Sequence, residues 1–362
     1  MGIFFDKIMD LRNVMNAFRL IKKGHSENYS MMKFENNLMT NISNILESIE
    51  NKTYSVKGYR ILTVREPKHR NIYAPYIEDR LVQQMLYSII EPYLDKKMDD
   101  YSCACRKGKG VEYARNKCQR IMRQKSSIWY VKLDIDKYFA SIDHEVLKSI
   151  LRKYIKDKDV LFLLDKFIGN GFGEIGIPIG NLLSQLFANL YLNELDKFVR
   201  LKTETKYYVR YMDDFICFID TKEKANEIKK QVFDFVENTL KLSIDNRKVK
   251  LQQCKYGIVF LGHKIKPKTQ ILSRTKTRKL RQNVKSYIGS NMKIDLHHTF
   301  VNLIPKDDLG FLKSIIDQYN RVNFNLQEKI LILKILCKKF QVFLYMEKFN
   351  LEEKRNGFKF WY

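Results

Sequence analysis

Lys206-Tyr207-Tyr208-Val209-Arg210-Tyr211-Met212-Asp213-Asp214-Phe215-Ile216-Cys217-Phe218 is the stretch on which the fold turns. Two runs rich in aromatic and β-branched residues flank adjacent carboxylates, the pattern of a β-hairpin with Asp213-Asp214 at its turn. By itself an Asp-Asp turn is equally well a solvated hairpin end. A second acidic site lies upstream in Ile128-Trp129-Tyr130-Val131-Lys132-Leu133-Asp134-Ile135-Asp136, where strand alternation puts Asp134 and Asp136 on one face. Together the two strand ends offer hard anionic oxygens from separate strands, as a pair of divalent cations roughly 3.5–4 Å apart requires. Carboxylates with ordinary pKa values near ~3.9 are ionised at neutral pH and suit Mg²⁺.

The rest of the chain is strongly basic. Its 362 residues hold 66 Lys+Arg against 41 Asp+Glu, a formal net charge of +25, with 45% hydrophobic and 13% aromatic residues. That composition supplies a packed core and excludes a mostly disordered chain. The charge predicts attraction to polyanions, nucleic acid ahead of an anionic membrane surface. Cysteines at 103, 105, 118, 217, 254 and 337 show no zinc-ligand spacing and read as reduced, structural thiols. Met1-Gly2-Ile3-Phe4-Phe5-Asp6 lacks the long apolar run of a signal peptide, and Lys334, Lys338 and Lys339 interrupt the apolar stretch from Ile330 to Met346. No membrane association and a cytoplasmic location are expected.

Residues 1–55 carry apolar positions at helical spacing, predicting two or three short helices. Tyr59 to Pro75 reads as a strand pair around the basic turn Glu66-Pro67-Lys68-His69-Arg70, and Leu81 to Leu94 as a helix. Helical segments are expected at Val146–Tyr154, Leu161–Ile168 and Ser184–Leu201, with a Gly-rich loop from Gly169 to Gly180. Beyond Gly262 the composition shifts: nine basic and no acidic residues lie from Lys264 to Lys285.

Tyr211-Met212-Asp213-Asp214, preceded by Leu133-Asp134-Ile135-Asp136-Lys137-Tyr138-Phe139, resembles motifs C and A of a reverse transcriptase. Gly176-Ile177-Pro178-Ile179-Gly180-Asn181-Leu182-Leu183-Ser184-Gln185 resembles motif B. Leu242-Ser243-Ile244-Asp245-Asn246-Arg247-Lys248 resembles motif D, and Phe260-Leu261-Gly262-His263 the primer grip. The resemblance implies an α+β right-hand polymerase: an N-terminal helical extension (1–55), fingers (56–128), a palm with an antiparallel sheet (129–262, with a finger-like insertion about 145–175), and a helical thumb (263–362). It implies RNA-directed DNA synthesis with two Mg²⁺ ions, Mn²⁺ able to substitute, on Asp134, Asp213, Asp214 and the Ile135 backbone carbonyl. Asp136 has no such role in the family. Phe139 falls at the position under the incoming sugar, Lys68 and Arg70 at the clasp on the triphosphate, and Lys248 at the motif D lysine near the pyrophosphate. Ile179, Gly180, Ser184 and Gln185 complete the nucleotide site. Arg106, Lys107 and Lys109, with Lys276, Arg278, Lys279 and Arg281, are the expected contacts to nucleic acid.

Most of the family carries Gln-Gly followed by Ser-Pro in motif B, whereas this chain has Ile179-Gly180 followed by Ser184-Gln185. That form resembles the reverse transcriptases of diversity-generating retroelements, supported by Tyr101 to Gly110, Asp79-Arg80-Leu81-Val82-Gln83 and Phe187-Ala188-Asn189-Leu190-Tyr191. Such enzymes copy a template RNA with errors opposite adenine, and work with a structured RNA and a small basic accessory protein; self-association is the other expectation. Two alternatives stay open: a defence-associated enzyme of the retron or abortive-infection kind that copies a companion noncoding RNA, and a catalytically silent RNA-binding scaffold.

Overall fold

The computed structural model describes residues 3–23, 28–64, 70–124, 128–169, 172–203, 205 and 207–278. Lys68, Lys279 and Arg281, and the thumb beyond Arg278, lie outside the described residues. The chain divides into two compact units, 1–121 with 127–253, and 122–126 with 254 onward.

The larger unit opens with four helices where two or three are expected: α1 (Ile3–Met9), α2 (Leu11–Lys22), α3 (Tyr29–Asn36) and α4 (Leu38–Glu50). Short polar residues make the breaks, those at Asp10 and Asn37 being the additional ones. Asp10 turns away from helical geometry and its side chain accepts from the Arg12 N–H, and Asn28 does the same for Ser30. The strand pair follows as β1 (Tyr59–Val64) and β2 (Arg70–Pro75), then α5 (Ile77–Asp95) and α6 (Val111–Gln124). α5 buries Leu81, Val82, Met85, Leu86, Ile90 and Leu94, the i, i+4 stripe that packs on α1 and α2.

β3 (Trp129–Asp134) leads through the short α7 (Tyr138–Ser141) to α8 (His144–Tyr154), α9 (Lys158–Gly169) and α10 (Leu182–Lys197). α10 is buried nearly all round and packs on α5 and α8, so it is the central helix of this unit. A turn of π-helix, Phe198–Lys202, extends it. The hairpin β4 (Tyr207–Tyr211) and β5 (Asp214–Ile219), then α11 (Lys222–Asp234) and β6 (Lys250–Gln253), complete an antiparallel sheet of order β4-β5-β3-β6. One face, with Val131, Leu133, Phe215 and Cys217, belongs to the main core. The second unit holds a three-stranded sheet, β7 (Ile258–Phe260), β8 (His263–Ile265) and β9 (Gln270–Leu272).

Two details of the strand ends differ from expectation. Tyr211 pairs with Asp214, so the turn is Met212-Asp213 and Asp214 is the first residue of β5. β3 ends at Asp134, and Asp136 sits in a turn whose next residue, Lys137, has φ 41°, so Asp134 and Asp136 do not share a strand face. The five described cysteines are free thiols. No helix among the described residues is long and apolar enough to cross a membrane.

Candidate active site

Register assembles the site. Asp134 at the end of β3 stands directly opposite Asp214 at the start of β5. Directly opposed residues of an antiparallel pair have Cβ atoms about 4.5–5.5 Å apart, where two carboxylates destabilise the sheet unless cations intervene. Asp213 joins them from the hairpin turn, its backbone carbonyl accepting from the Ile135 N–H at 3.2 Å. The motif D segment closes the other side: Asp245 N–H donates to the Asp134 carbonyl at 2.9 Å and Asp136 N–H to the Ser243 carbonyl at 2.8 Å. This bridge leaves the N–H of Ile135 turned to the Asp213 side, and in extended backbone the carbonyl of the same residue opens that way too.

Two lysines supply the positive charge. Lys132 Nζ lies 3.0 Å from Asp214 Oδ2, and Lys248 Nζ contacts Asp134 Oδ1 and lies 3.7 Å from Asp245 Oδ2. Burial works against the charge on Lys248, but the bond to Asp134 together with the charges of Asp134, Asp245 and Asp213 holds its pKa above the ordinary lysine value. Burial pushes Asp214 up to about 7, despite the opposing charge of Lys132. Asp213 is also raised, by burial and by the neighbouring Asp134, while Lys248 and Arg70 pull it the other way. At Asp213 and Asp214 the expectation of ordinary carboxylates is therefore corrected: the low-dielectric sheet face penalises their charge.

A divalent cation fits this donor set. Asp214 Oδ1 is buried without a hydrogen-bond partner, and a carboxylate oxygen left so is costly until a cation or donor reaches it. Among the described residues no three acidic, His or Cys side chains stand in a geometry that could hold an ion as they are, and Lys132 and Lys248 each pair with one of the carboxylates. Asp134, Asp213 and Asp214 would hold the metal once those ammonium groups give way, and the ions would supply charge neutralisation at the triphosphate and activation of the primer hydroxyl.

The remaining nucleotide-site residues divide. Arg70, exposed at the start of β2, is close enough to lower the Asp213 pKa. Phe139 is half-buried in α7, its ring 5.7 Å from Tyr138, and its carbonyl accepts from Ile177 N–H at 2.8 Å, which ties motif A to motif B. The Ile179 carbonyl accepts from Tyr73 N–H at 2.8 Å. Gly180 has φ 105°, and a Cβ there would stand 2.5 Å from Ile72 Cγ2, so only glycine lets motif B lie this close to β2. Asn181 completes the join, donating to the Tyr73 carbonyl and accepting from Gln83. On α10, Gln185 is exposed while Ser184 faces inward and is buried, so Ser184 packs rather than faces a ligand.

The basic loop after Cys103 departs most from expectation. Arg106 donates to the Asp95 carboxylate at 2.5 Å and to the Asp95, Asp99 and Ser102 carbonyls, leaving its side chain 6% exposed. Lys109 is held by Asp100 at 3.0 Å. Both are corrected from nucleic-acid contacts to internal staples; Lys107 alone of the three is exposed. In the second unit the primer-grip segment is a hairpin turning at Leu261 and Gly262, both at positive φ, with the Lys276 stem against Gly262 and Arg278 exposed.

Lys132 and Arg210 are site residues that motif reading passed over. Lys132 could have been found, since it lies two residues before Asp134 on the same strand face. Arg210 gives no such signal, because an arginine on an edge strand reads as exposed, whereas here it is fully buried.

Comparison with known proteins agrees with this geometry. Residues 63–265 match the family described as reverse transcriptase (RNA-dependent DNA polymerase). The chain is 26% identical over 298 residues to the group II intron-encoded protein LtrA of Lactococcus lactis subsp. cremoris, covering 62% of this chain and 49% of that one. It is 24% identical over 241 residues to protein YkfC of Escherichia coli (strain K12), covering 55% and 63%. It thus spans about half the length of LtrA and under two thirds of YkfC. A solved telomerase from Candida albicans, in complex with a fragment of telomeric RNA, superposes with a TM-score of 0.48 at 11% identity, over 80% of this chain and 62% of that one. The match from 63 to 265 takes in β2, motifs A to D and the whole four-stranded sheet, so the fold is that of a right-hand polymerase, and the chain belongs to the reverse transcriptase family.

Proposed function

We propose that this chain is an RNA-directed DNA polymerase that extends a primer on an RNA template. The observation that carries the proposal is the register of Asp134 against Asp214, with Asp213 beside them and one buried carboxylate oxygen left for a cation. The three carboxylates hold Mg²⁺ or Mn²⁺, Arg70 with Lys68 draws the triphosphate, and Lys248 stands at motif D to meet the departing pyrophosphate. The Phe139 ring excludes a 2′-hydroxyl. Catalysis is positioning and charge neutralisation, in which a preorganised site has the advantage over water. Primer extension by the purified chain on an RNA template with Mg²⁺ and deoxynucleotides tests this. Extension lost in Asp213→Asn with RNA binding retained supports the assignment; near-normal extension by that variant overturns it.

Motif B supports a narrower reading, that the enzyme is error-prone and serves a diversity-generating retroelement, copying a structured RNA in the cytoplasm with a small basic accessory protein. Ile179 replaces the amide side chain usual at this position. An apolar group beside the nascent pair offers no polar contact whose loss penalises a mispair. Sequencing cDNA made on a defined template should show frequent errors, concentrated opposite adenine, and fewer in Ile179→Gln. An error spectrum like that of an accurate enzyme overturns the narrower reading and leaves the polymerase in place. An adjacent template repeat differing at adenines supports diversity generation; its absence beside a companion noncoding RNA points to defence.

A further inference from the structure

Among the described residues one fully satisfied buried charge is not used by the proposed chemistry. Arg210 and Asp196 are both 0% exposed. The guanidinium has five N–H donors, and the structure uses them in five bonds. Nε donates to Asp196 Oδ1 at 2.7 Å, and Nη2 donates to Asp196 Oδ2 at 2.6 Å and to the Asn189 carbonyl at 3.3 Å. Nη1 donates to Asn189 Oδ1 at 3.3 Å and to the Met212 carbonyl at 3.2 Å. Tyr208, two residues back on the same face of β4, donates to Asp196 Oδ1 at 2.9 Å. The backbone of Arg210 is fixed as well, since its N–H donates to the Tyr101 carbonyl and its carbonyl accepts from Cys103 N–H.

The bond to Met212 gives this network a reach beyond packing. Met212 has φ 54°, a left-handed conformation that costs a non-glycine residue free energy and persists where the surroundings over-determine it. Its carbonyl is held by Arg210, and the next one, of Asp213, by the Ile135 N–H. Both carbonyls of the two-residue turn are thus captured, one by Arg210, itself anchored on α10, and one by Ile135, the residue after β3.

We propose that Arg210 is a positioning residue for Asp213: through the Met212 carbonyl it holds the turn that presents this carboxylate to Asp134 and Asp214. The proposal rests on the polymerase assignment above. A purely stabilising role makes a different forecast, because a buried ion pair replaced at both ends by apolar side chains of similar volume is commonly neutral or stabilising. Positioning forecasts that the same double replacement spares the fold and harms the site.

The test uses the full chain as wild type, as Arg210→Met with Asp196→Leu, and as Arg210→Lys, which keeps a charge opposite Asp196 but cannot serve Asp196, Asn189 and the Met212 carbonyl together. Three readouts are taken: thermal unfolding, Mn²⁺ binding by calorimetry without nucleic acid, and single-turnover primer extension. Both variants should fold, lose up to about 10²-fold in the maximal rate, as small misplacements of reacting groups do, keep the KM for deoxynucleotide, and bind Mn²⁺ more weakly. Adding Met212→Gly to Arg210→Lys should recover part of the rate, since glycine adopts this φ without strain. A folded variant with wild-type rate and Mn²⁺ affinity overturns the proposal, as does loss of folding in both variants, which would assign Arg210 to stability alone. If the wild type extends no primer, the polymerase assignment fails instead, and Mn²⁺ affinity still reports on the turn.

Discussion

The hairpin of β4 and β5 and the strand end beside it bring together two kinds of cation–carboxylate pair. Arg210 and Asp196 are 0% exposed, and the planar fork of arginine is spent on fixed partners. Lys132 and Asp214 are 19% and 18% exposed, Lys248 and Asp134 43% and 13%, and each lysine presents a compact, mobile point charge. The arginine pair is closed, the Lys132–Asp214 pair leaves one carboxylate oxygen unmatched, and both lysine pairs stay open enough to water to exchange their cation. The first is built into the packed interior and the other two sit on the candidate metal-binding carboxylates, although each is a Lys or Arg paired with an Asp distant in the sequence.

The largest expected effect separates them by function. Asp213→Asn or Asp134→Asn should remove Mg²⁺-dependent extension by more than roughly 10²–10³-fold, the cost of deleting one preorganised electrostatic group, while the melting temperature stays near that of wild type. Primer extension and thermal unfolding of the same preparations check both halves. A variant that melts early would put these acids in the scaffold too.

Breaking the closed pair at one end should act on the fold. Arg210→Met leaves Asp196 buried without its partner, and a loss of about 3–5 kcal/mol is expected from urea unfolding. A loss no greater than that of an exposed arginine would show that the pair is not closed in solution.

The exchangeable pairs should make the metal-free protein pH-sensitive. Asp214 has a folded pKa of about 7, raised above its ordinary value by burial, so the folded state binds more protons than the unfolded one between the two. The Asp214 contribution to stability without metal should therefore be greatest below the ordinary aspartate range and fall as pH rises towards about 7, then level off, read as the difference from Asp214→Asn. Mg²⁺ should flatten this slope, and Lys132→Met should extend it above pH 7, because Lys132 is what lowers the Asp214 pKa. Unfolding free energies of both proteins from pH 4 to 8, with Mg²⁺ and with chelator, check the sign; a difference that climbs over this range in chelator would contradict it.

The smallest effect extends the contrast to the basic loop. Arg106→Ala should lower stability without altering the salt dependence of RNA binding, since its donors are spent on Asp95, Asp99 and Ser102. Lys107→Ala should do the reverse, flattening the log–log salt slope by about 0.7–0.9 for one lost phosphate contact. Equal behaviour of the two would erase the distinction between spent and free charge.

Much of the site was legible because its signals are local. A strand that ends in acid and a hairpin with paired acids announce themselves by alternation and turn chemistry, and the spacing of motifs A to D is a property of the chain. The turn was misplaced by one residue because Met212 gives no sign that it adopts positive φ. Four helices form where two or three are expected because the break at Asp10 depends on a single side-chain hydrogen bond and the one at Asn37 has no side-chain cap at all. Arg106 and Lys109 were misassigned because charge in a sequence does not show whether its partner lies across a fold.

The sequence by itself determined the family, the three carboxylates and the strands that carry them, since these follow from residue type and spacing. The tertiary structure alone decided which cations are committed and which are exchangeable. That choice depends on burial and on donors from distant elements, such as Asn189 and Asp196 of α10 meeting Arg210 of β4, and these set whether a charge is worth keeping out of water only once the chain has packed.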